Sequence, residues 1–257
     1  MNQNLLTLFQ LDPPNSAAPL FVFLPGMDGG VSLQKFQASR LGTAFNPYGL
    51  AIPTGNRDDW PTLTQRAIAA IRAVKETQSG RSVYLCGESF GGCLALAIAW
   101  AEPSLIDRII LVNPASSFNQ SAWLGWGATV APWLSDSLYQ VFTFGLLPWL
   151  ANLDRVPQSN QQALLSAMQS LPAKTVAWRI SLLQHFIANA QKLAEIQLPV
   201  LAIAGAADRL LPSVEEVQRL VAALPNGRSV ILPNSGHSCL LETGIHLGAI
   251  ARSQGFL

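Results

Sequence analysis

Gly87-Glu88-Ser89-Phe90-Gly91 constrains this chain more than any other segment. It follows a strand-like run, Ser82-Val83-Tyr84-Leu85-Cys86, and leads into a continuous apolar helical stretch from Cys93 to Trp100. A serine between glycines at a strand-to-helix junction fits a sharp, strained turn that lifts its hydroxyl above the end of a sheet. The glycines answer a steric need, because neighbouring backbone must approach where only hydrogen fits. Gly92 adds a further small position where the helix leaves the turn. Five such residues are a common chance match, and the flanking strand and helix give the pattern its weight.

The remaining chain supplies a sheet for that turn. Short apolar runs at Leu20 to Leu24, Tyr48 to Ile52, Arg108 to Val112, Val200 to Ala204 and Ser229 to Leu232 read as strands. They alternate with helical patterns at Ser32 to Leu41, Thr62 to Glu76 and Gly244 to Arg252. Alternation of this kind predicts an α/β fold, a mainly parallel central sheet flanked by helices. One stretch breaks the rhythm. From Pro114 to about Lys192 no strand is legible, and five of the seven tryptophans fall there (Trp123, Trp126, Trp133, Trp149 and Trp178). This predicts a helical lid inserted after the strand that ends near Val112, with residues 114–192 as lid and residues 1–113 and 193–257 as core.

Composition narrows the function classes. Charged residues make up 12% of the chain, about half the usual quarter, against 49% hydrophobic. The net charge is +1 and no block of Lys or Arg occurs. Nucleic acid is therefore not expected as a partner, since phosphate binding needs clustered cations. No apolar run reaches the roughly 18 residues a spanning helix needs. Ala122 to Leu153 comes nearest, and its tryptophans and sparse charge suit loose, peripheral association with a membrane surface. The N-terminus shows neither a basic region nor an adequate apolar one for a secretory signal. Cys86, Cys93 and Cys239 have no metal-binding spacing, so no metal or cofactor is expected and a reducing, cytoplasmic setting fits.

A serine hydroxyl needs a neighbouring base to attack a carbonyl at neutral pH. Of three histidines, His185 and His246 fall in helical patterns, whereas His237 lies in Asn234-Ser235-Gly236-His237, a loop after the last strand. The orienting acid is expected between serine and histidine in chain order. Asp208 ends Ala204-Gly205-Ala206-Ala207-Asp208, just beyond a buried strand, and is preferred over Asp154 in the lid and Glu215 in a helix. Ser89, Asp208 and His237 are thus the candidate triad. Two backbone N–H groups are needed for the oxyanion. The residue after the serine, Phe90, offers one, and Met27 in Leu24-Pro25-Gly26-Met27-Asp28-Gly29-Gly30 offers the other. Asp28 is expected to pin that loop. Gly26, Asp28, Trp123, Trp126 and Phe142 are the candidate substrate contacts.

LPGMDGG, GESFGGCLALAIA, LVNPASSF and SGHSCLLE resemble the hydrolase portion of the phytyl ester synthases of plastids and their shorter cyanobacterial relatives. The resemblance runs from about Leu20 to the C-terminus and implies an α/β-hydrolase fold. It also implies an activity that moves acyl chains from lipids or acyl carriers onto alcohols; the plant proteins carry an additional acyltransferase-like domain outside the matching region. The expected function is cleavage, or acyl transfer, of a long-chain lipid ester through an acyl-serine intermediate. An acyl thioesterase or other small-molecule esterase is the alternative, because one triad serves many substrates. A ligand-binding receptor built on the same scaffold is the remaining reading.

Overall fold

The computed structural model describes residues 5–15, 17–78, 80–120 and 136–256, with backbone alone at 120 and 136–142. Seven strands form one sheet: β1 (Thr7–Gln10), β2 (Leu20–Leu24), β3 (Asn46–Ala51), β4 (Val83–Glu88), β5 (Arg108–Val112), β6 (Val200–Gly205) and β7 (Gly227–Leu232). Their order is β1-β3-β2-β4-β5-β6-β7, and every pair is parallel except β1 with β3. The central parallel strands are covered on both faces, which is why β2, β5 and β6 read as unbroken apolar runs. Strand β1 lies at the exposed edge with its side chains largely in solvent. It has neither alternation nor burial to mark it, and the sequence reading passes over it.

Helices α1 (Lys35–Leu41) and α9 (Leu247–Ser253) cover one face, where Phe21, Phe23, Ile110, Ile203 and Leu247 pack together. On the other face lie α2 (Trp60–Thr77), α3 (Phe90–Ala101) and α8 (Ser213–Ala223), over Val22, Leu85, Ile109 and Ala202. Helix α2 starts where the Asp59 carboxylate accepts the Thr62 N–H at 2.9 Å, and a proline occupies its first turn. Helix α3 is buried almost all round and carries no charge, as a helix seated centrally on a sheet requires.

Between β5 and β6 the described residues form no strand, only a 3-10 turn at Phe118–Gln120 and the helices α4 (Asp136–Leu150), α5 (Gln158–Gln169), α6 (Ala173–Gln184) and α7 (Ala190–Ala194). None of the helices among the described residues is long and apolar enough to cross a membrane.

Topology locates the site. From β2 the chain crosses outward to β3, whereas from β4 it crosses the other way to β5. Beyond the carboxyl ends of β2 and β4 the connections diverge, the switch point outside which α/β sheets generally bind their ligands. Leu24 and Gly87 are paired there, so the Pro25–Gly30 loop and Ser89 emerge side by side.

Candidate active site

Ser89 is the single residue between β4 and α3, with φ 52° and ψ −113°. For a residue with a Cβ this backbone costs roughly 1–3 kcal/mol and persists only where the surroundings enforce it. The glycines show how they do so. A Cβ on Gly87 would strike the Gly91 carbonyl, one on Gly91 would strike the Leu24 carbonyl, and one on Gly92 would strike the Pro114 ring. The Ser89 N–H donates to the Val112 carbonyl at 3.0 Å and its own carbonyl accepts from Ala115 N at 3.1 Å, tying the turn to the end of β5. Phe90 opens α3, where the first N–H groups have no partner within the helix. Its ring stacks on Trp60 at 5.0 Å between centroids.

Asp208 and His237 come together after β6 and β7. The Asp208 Oδ2 lies 2.8 Å from His237 Nδ1 and accepts the Ser213 hydroxyl at 2.5 Å. Its Oδ1 accepts the N–H groups of Leu210 at 2.8 Å and Leu211 at 3.1 Å. Burial alone would raise the Asp208 carboxyl. The charge and hydrogen bond of His237, with the hydrogen bonds from Ser213 and Leu211, hold it below the usual carboxylate value instead. Burial would likewise lower His237, and Asp208 reverses this, so the imidazole is raised above its ordinary value. His185 and His246 are exposed, as are Asp154 and Glu215.

Two residues with no role assigned from the sequence hold the histidine loop. Asn113 is fully buried with φ 42°. Its Nδ2 donates to the carbonyls of His237 at 2.6 Å and Gly236 at 3.1 Å, and its Oδ1 accepts from Gly205 N at 2.7 Å. One side chain thus stitches the ends of β5 and β6 to the loop after β7. Glu242, also fully buried, accepts from Ser235 Oγ and Gly236 N, both at 2.9 Å, and pairs with Arg155 at 2.7 Å. Gly205 is required there because a Cβ would collide with the Ser235 carbonyl.

On the opposite side of Ser89, Gly26 accepts from Gly29 N at 3.1 Å and closes a turn around Met27 and Asp28. Asp28 Oδ2 accepts the Gly30 N–H at 2.8 Å, and burial pushes its carboxyl up. Of the expected substrate contacts, Gly26 and Asp28 stand in this turn beside the elbow: a Cβ on Gly26 would lie 3.9 Å from the Glu88 carbonyl. Trp123 and Trp126 lie outside the described residues, as does the side chain of Phe142.

Glu88, a position of the motif with no role assigned from the sequence, also stands out. Its Oε1 is buried without a hydrogen-bond partner among the described residues. Burial pushes the carboxyl up to about 7, with His237 opposing and Asp28 adding to the shift. A carboxyl raised above its unfolded value favours the fold below about pH 4.3, and that contribution is lost as pH rises through the folded value. Glu88→Gln, neutral and of the same shape, is therefore expected to keep up to about 3 kcal/mol that the wild type loses between about pH 4 and pH 8. Urea denaturation at the two pH values measures this. An identical pH dependence in both proteins would show that Glu88 carries none of it.

Residues 53–244 match the family described as serine aminopeptidase, S33. Phytyl ester synthase 1, chloroplastic, of Arabidopsis thaliana is 32% identical over 94% of the chain, and phytyl ester synthase 2, chloroplastic, of the same plant is 27% identical over 93%. The chain spans 38% of the length of each of these curated relatives. A lipase-esterase related protein from Clostridium acetobutylicum superposes with a TM-score of 0.77 at 15% identity, covering 98% of this chain and all of the other. That likeness shows the fold, and with the family match over most of the sequence it has one conclusion. The chain is an α/β-hydrolase and belongs to the serine aminopeptidase S33 family.

Proposed function

We propose that this chain is a serine hydrolase that cleaves esters with a long apolar chain through an acyl intermediate on Ser89. The observation that carries this reading is the buried Asp208–His237 pair, whose loop Asn113 ties to the end of β5, where the N–H of a serine held at positive φ is also bonded. His237 Nδ1 is bound to Asp208, which leaves Nε2 as the base. Ser89 Oγ attacks the ester carbonyl as its proton passes to Nε2, and the N–H groups of Phe90 and Met27 receive the negative oxygen. The imidazolium then protonates the leaving alcohol. Water, activated by the same nitrogen, attacks the acyl carbonyl and releases the acid and Ser89. If an acceptor alcohol takes the place of water, the product is a new ester, as the names of the Arabidopsis relatives suggest.

The lipid part rests on residues 114–192 acting as a lid. From Ser137 to Leu153 the sequence has no charged residue, and Phe144, Leu146 and Trp149 of α4 are exposed. Exposed apolar side chains on a helix whose end adjoins the His237 loop, where Ser238 N donates to Leu150 O at 2.7 Å, suit an alkyl chain or a lipid surface. Oxygen esters and thioesters of graded chain length, assayed with and without phytol, test the reading. Turnover is expected to rise with acyl length and to be higher for lipid in vesicles than for short soluble esters. Cleavage confined to short, water-soluble esters would sink the lipid assignment and leave a general esterase. Preference for thioesters would replace the oxygen ester as substrate.

A further inference from the structure

Arg179 lies on α6, 152 residues from Met27 in sequence, yet it is 2% exposed and reaches the turn around Met27. Its Nη1 donates to the Met27 carbonyl at 2.6 Å, and its Nη2 donates to the carbonyls of Ile52 at 3.0 Å and Pro53 at 3.4 Å. The guanidinium fills the space beside Gly29, which has φ 67° and where a Cβ would strike Nη1 and Nη2. Asp28 supplies the neighbouring negative charge.

These bonds bear on the direction of one N–H. Peptide units are planar and trans, so the Gly26–Met27 unit, whose carbonyl points at Gly29 N, directs the Met27 N–H the opposite way, out of the turn. The next unit, Met27–Asp28, has its carbonyl held by Arg179. With both flanking units pinned, the dihedral angles of Met27 have no freedom left. The second anchor fixes the turn in space, because Ile52 also donates its N–H to Gly29 at 2.8 Å. Helix α6 itself is tied down along its length. Thr175 donates to Thr54 O at 2.6 Å, Trp178 to Asp58 O at 3.2 Å, and Trp60 to Leu182 O at 2.8 Å.

We propose that Arg179 is a positioning residue for the oxyanion-stabilising turn, clamping the Met27 carbonyl from α6 so that the Met27 N–H is aimed before substrate arrives. The inference rests on the serine-hydrolase reading and adds a residue to it. Only arginine suits the place. Three carbonyls on two segments need a rigid, multi-donor fork, and a lysine ammonium is a single point of charge.

The test is Arg179→Gln, with turnover counted per active serine after titration with an alkyl fluorophosphonate. The expected result is a fall in kcat of about a hundred-fold with KM little changed, because a misaimed donor is lost from the transition state and not from ground-state binding. Affinity for an alkyl boronic acid, which mimics the tetrahedral state, should fall in parallel. Arg179→Lys, which keeps the buried charge, should recover only part of the loss, and it carries the same test if the glutamine variant fails to fold. Unchanged kcat per titrated site would overturn the proposal, even if the melting temperature drops. So would equal losses in substrate and boronate affinity with kcat intact. Failure of the wild type to react with the fluorophosphonate at Ser89 is a separate result, which removes the hydrolase reading and the clamp with it.

Discussion

Ser89→Ala is expected to lower kcat by on the order of a million-fold while leaving substrate binding intact, because the covalent route then has no nucleophile. The measurement is a progress curve on the best ester of the chain-length series, with fluorophosphonate labelling followed by intact mass. The wild type should gain one adduct and the variant none. Equal turnover by both proteins would show that Ser89 is not the nucleophile.

A second substitution at this position separates chemistry from strain. Alanine keeps a Cβ and so remains in the same unfavourable backbone at φ 52°. Ser89→Gly relieves it and is expected to unfold about 1 kcal/mol less readily than the alanine variant, although both are inactive. Identical stability of the two would mean that the turn is unstrained. The strain is met by the rest of the fold: Gly87, Gly91 and Gly92 allow the close approaches, and α3 buries nine residues behind the serine.

Asp208→Asn is expected to cost about four orders of magnitude in kcat while leaving the fold in place. The hydrogen bonds explain the size of the effect. Oδ1 is committed to the N–H groups of Leu210 and Leu211, so an asparagine would keep its oxygen there and turn its NH2 toward His237. His237 Nδ1 would then have to accept, which moves its proton to Nε2, the atom that must be free to act as base. The pH profile gives a second readout. In the wild type Asp208 raises His237, so activity is lost as pH falls through a value above the ordinary histidine pKa of about 6.5. Without that charge the acid limb should move to lower pH, measured as kcat/KM across the acid range.

Stability should respond as well. The raised His237 contributes most below its unfolded pKa and loses that contribution as pH rises through its folded one. The depressed Asp208 contributes above its unfolded pKa and loses it as pH falls through its folded one. The pair therefore helps the fold most on the mildly acidic side, and there the variant should lose most. A flat difference across pH would show that the two groups are not coupled.

What could be read from the chain was local. The elbow is legible because strand, turn and helix are consecutive, and the glycines that permit the turn are within five residues of Ser89. Asp208 and His237 are legible for a related reason. In a parallel sheet every strand ends at the same edge, so residues placed just after Gly205 and Leu232 are brought toward that edge by connectivity alone. The helical character of the described residues between Asp136 and Ala194 followed from the missing strand pattern between Pro114 and Lys192.

What tertiary structure decided has no local signature. Arg179 sits in a helix where an arginine reads as a solvated cation, yet it is buried against carbonyls more than 120 residues away. Asn113 reads as a loop residue after a strand, and only packing turns its amide into the tie between the Asp208 and His237 loops. Glu88 is a variable position of the motif by pattern, but the fold encloses its carboxyl beside Asp28 and His237. Strand β1 pairs at an edge where no side-chain pattern is demanded. Periodicity and spacing record which face of an element is buried and where it stops. They cannot record which distant backbone groups will converge, because those contacts are created by the closing of the sheet and the packing of its helices.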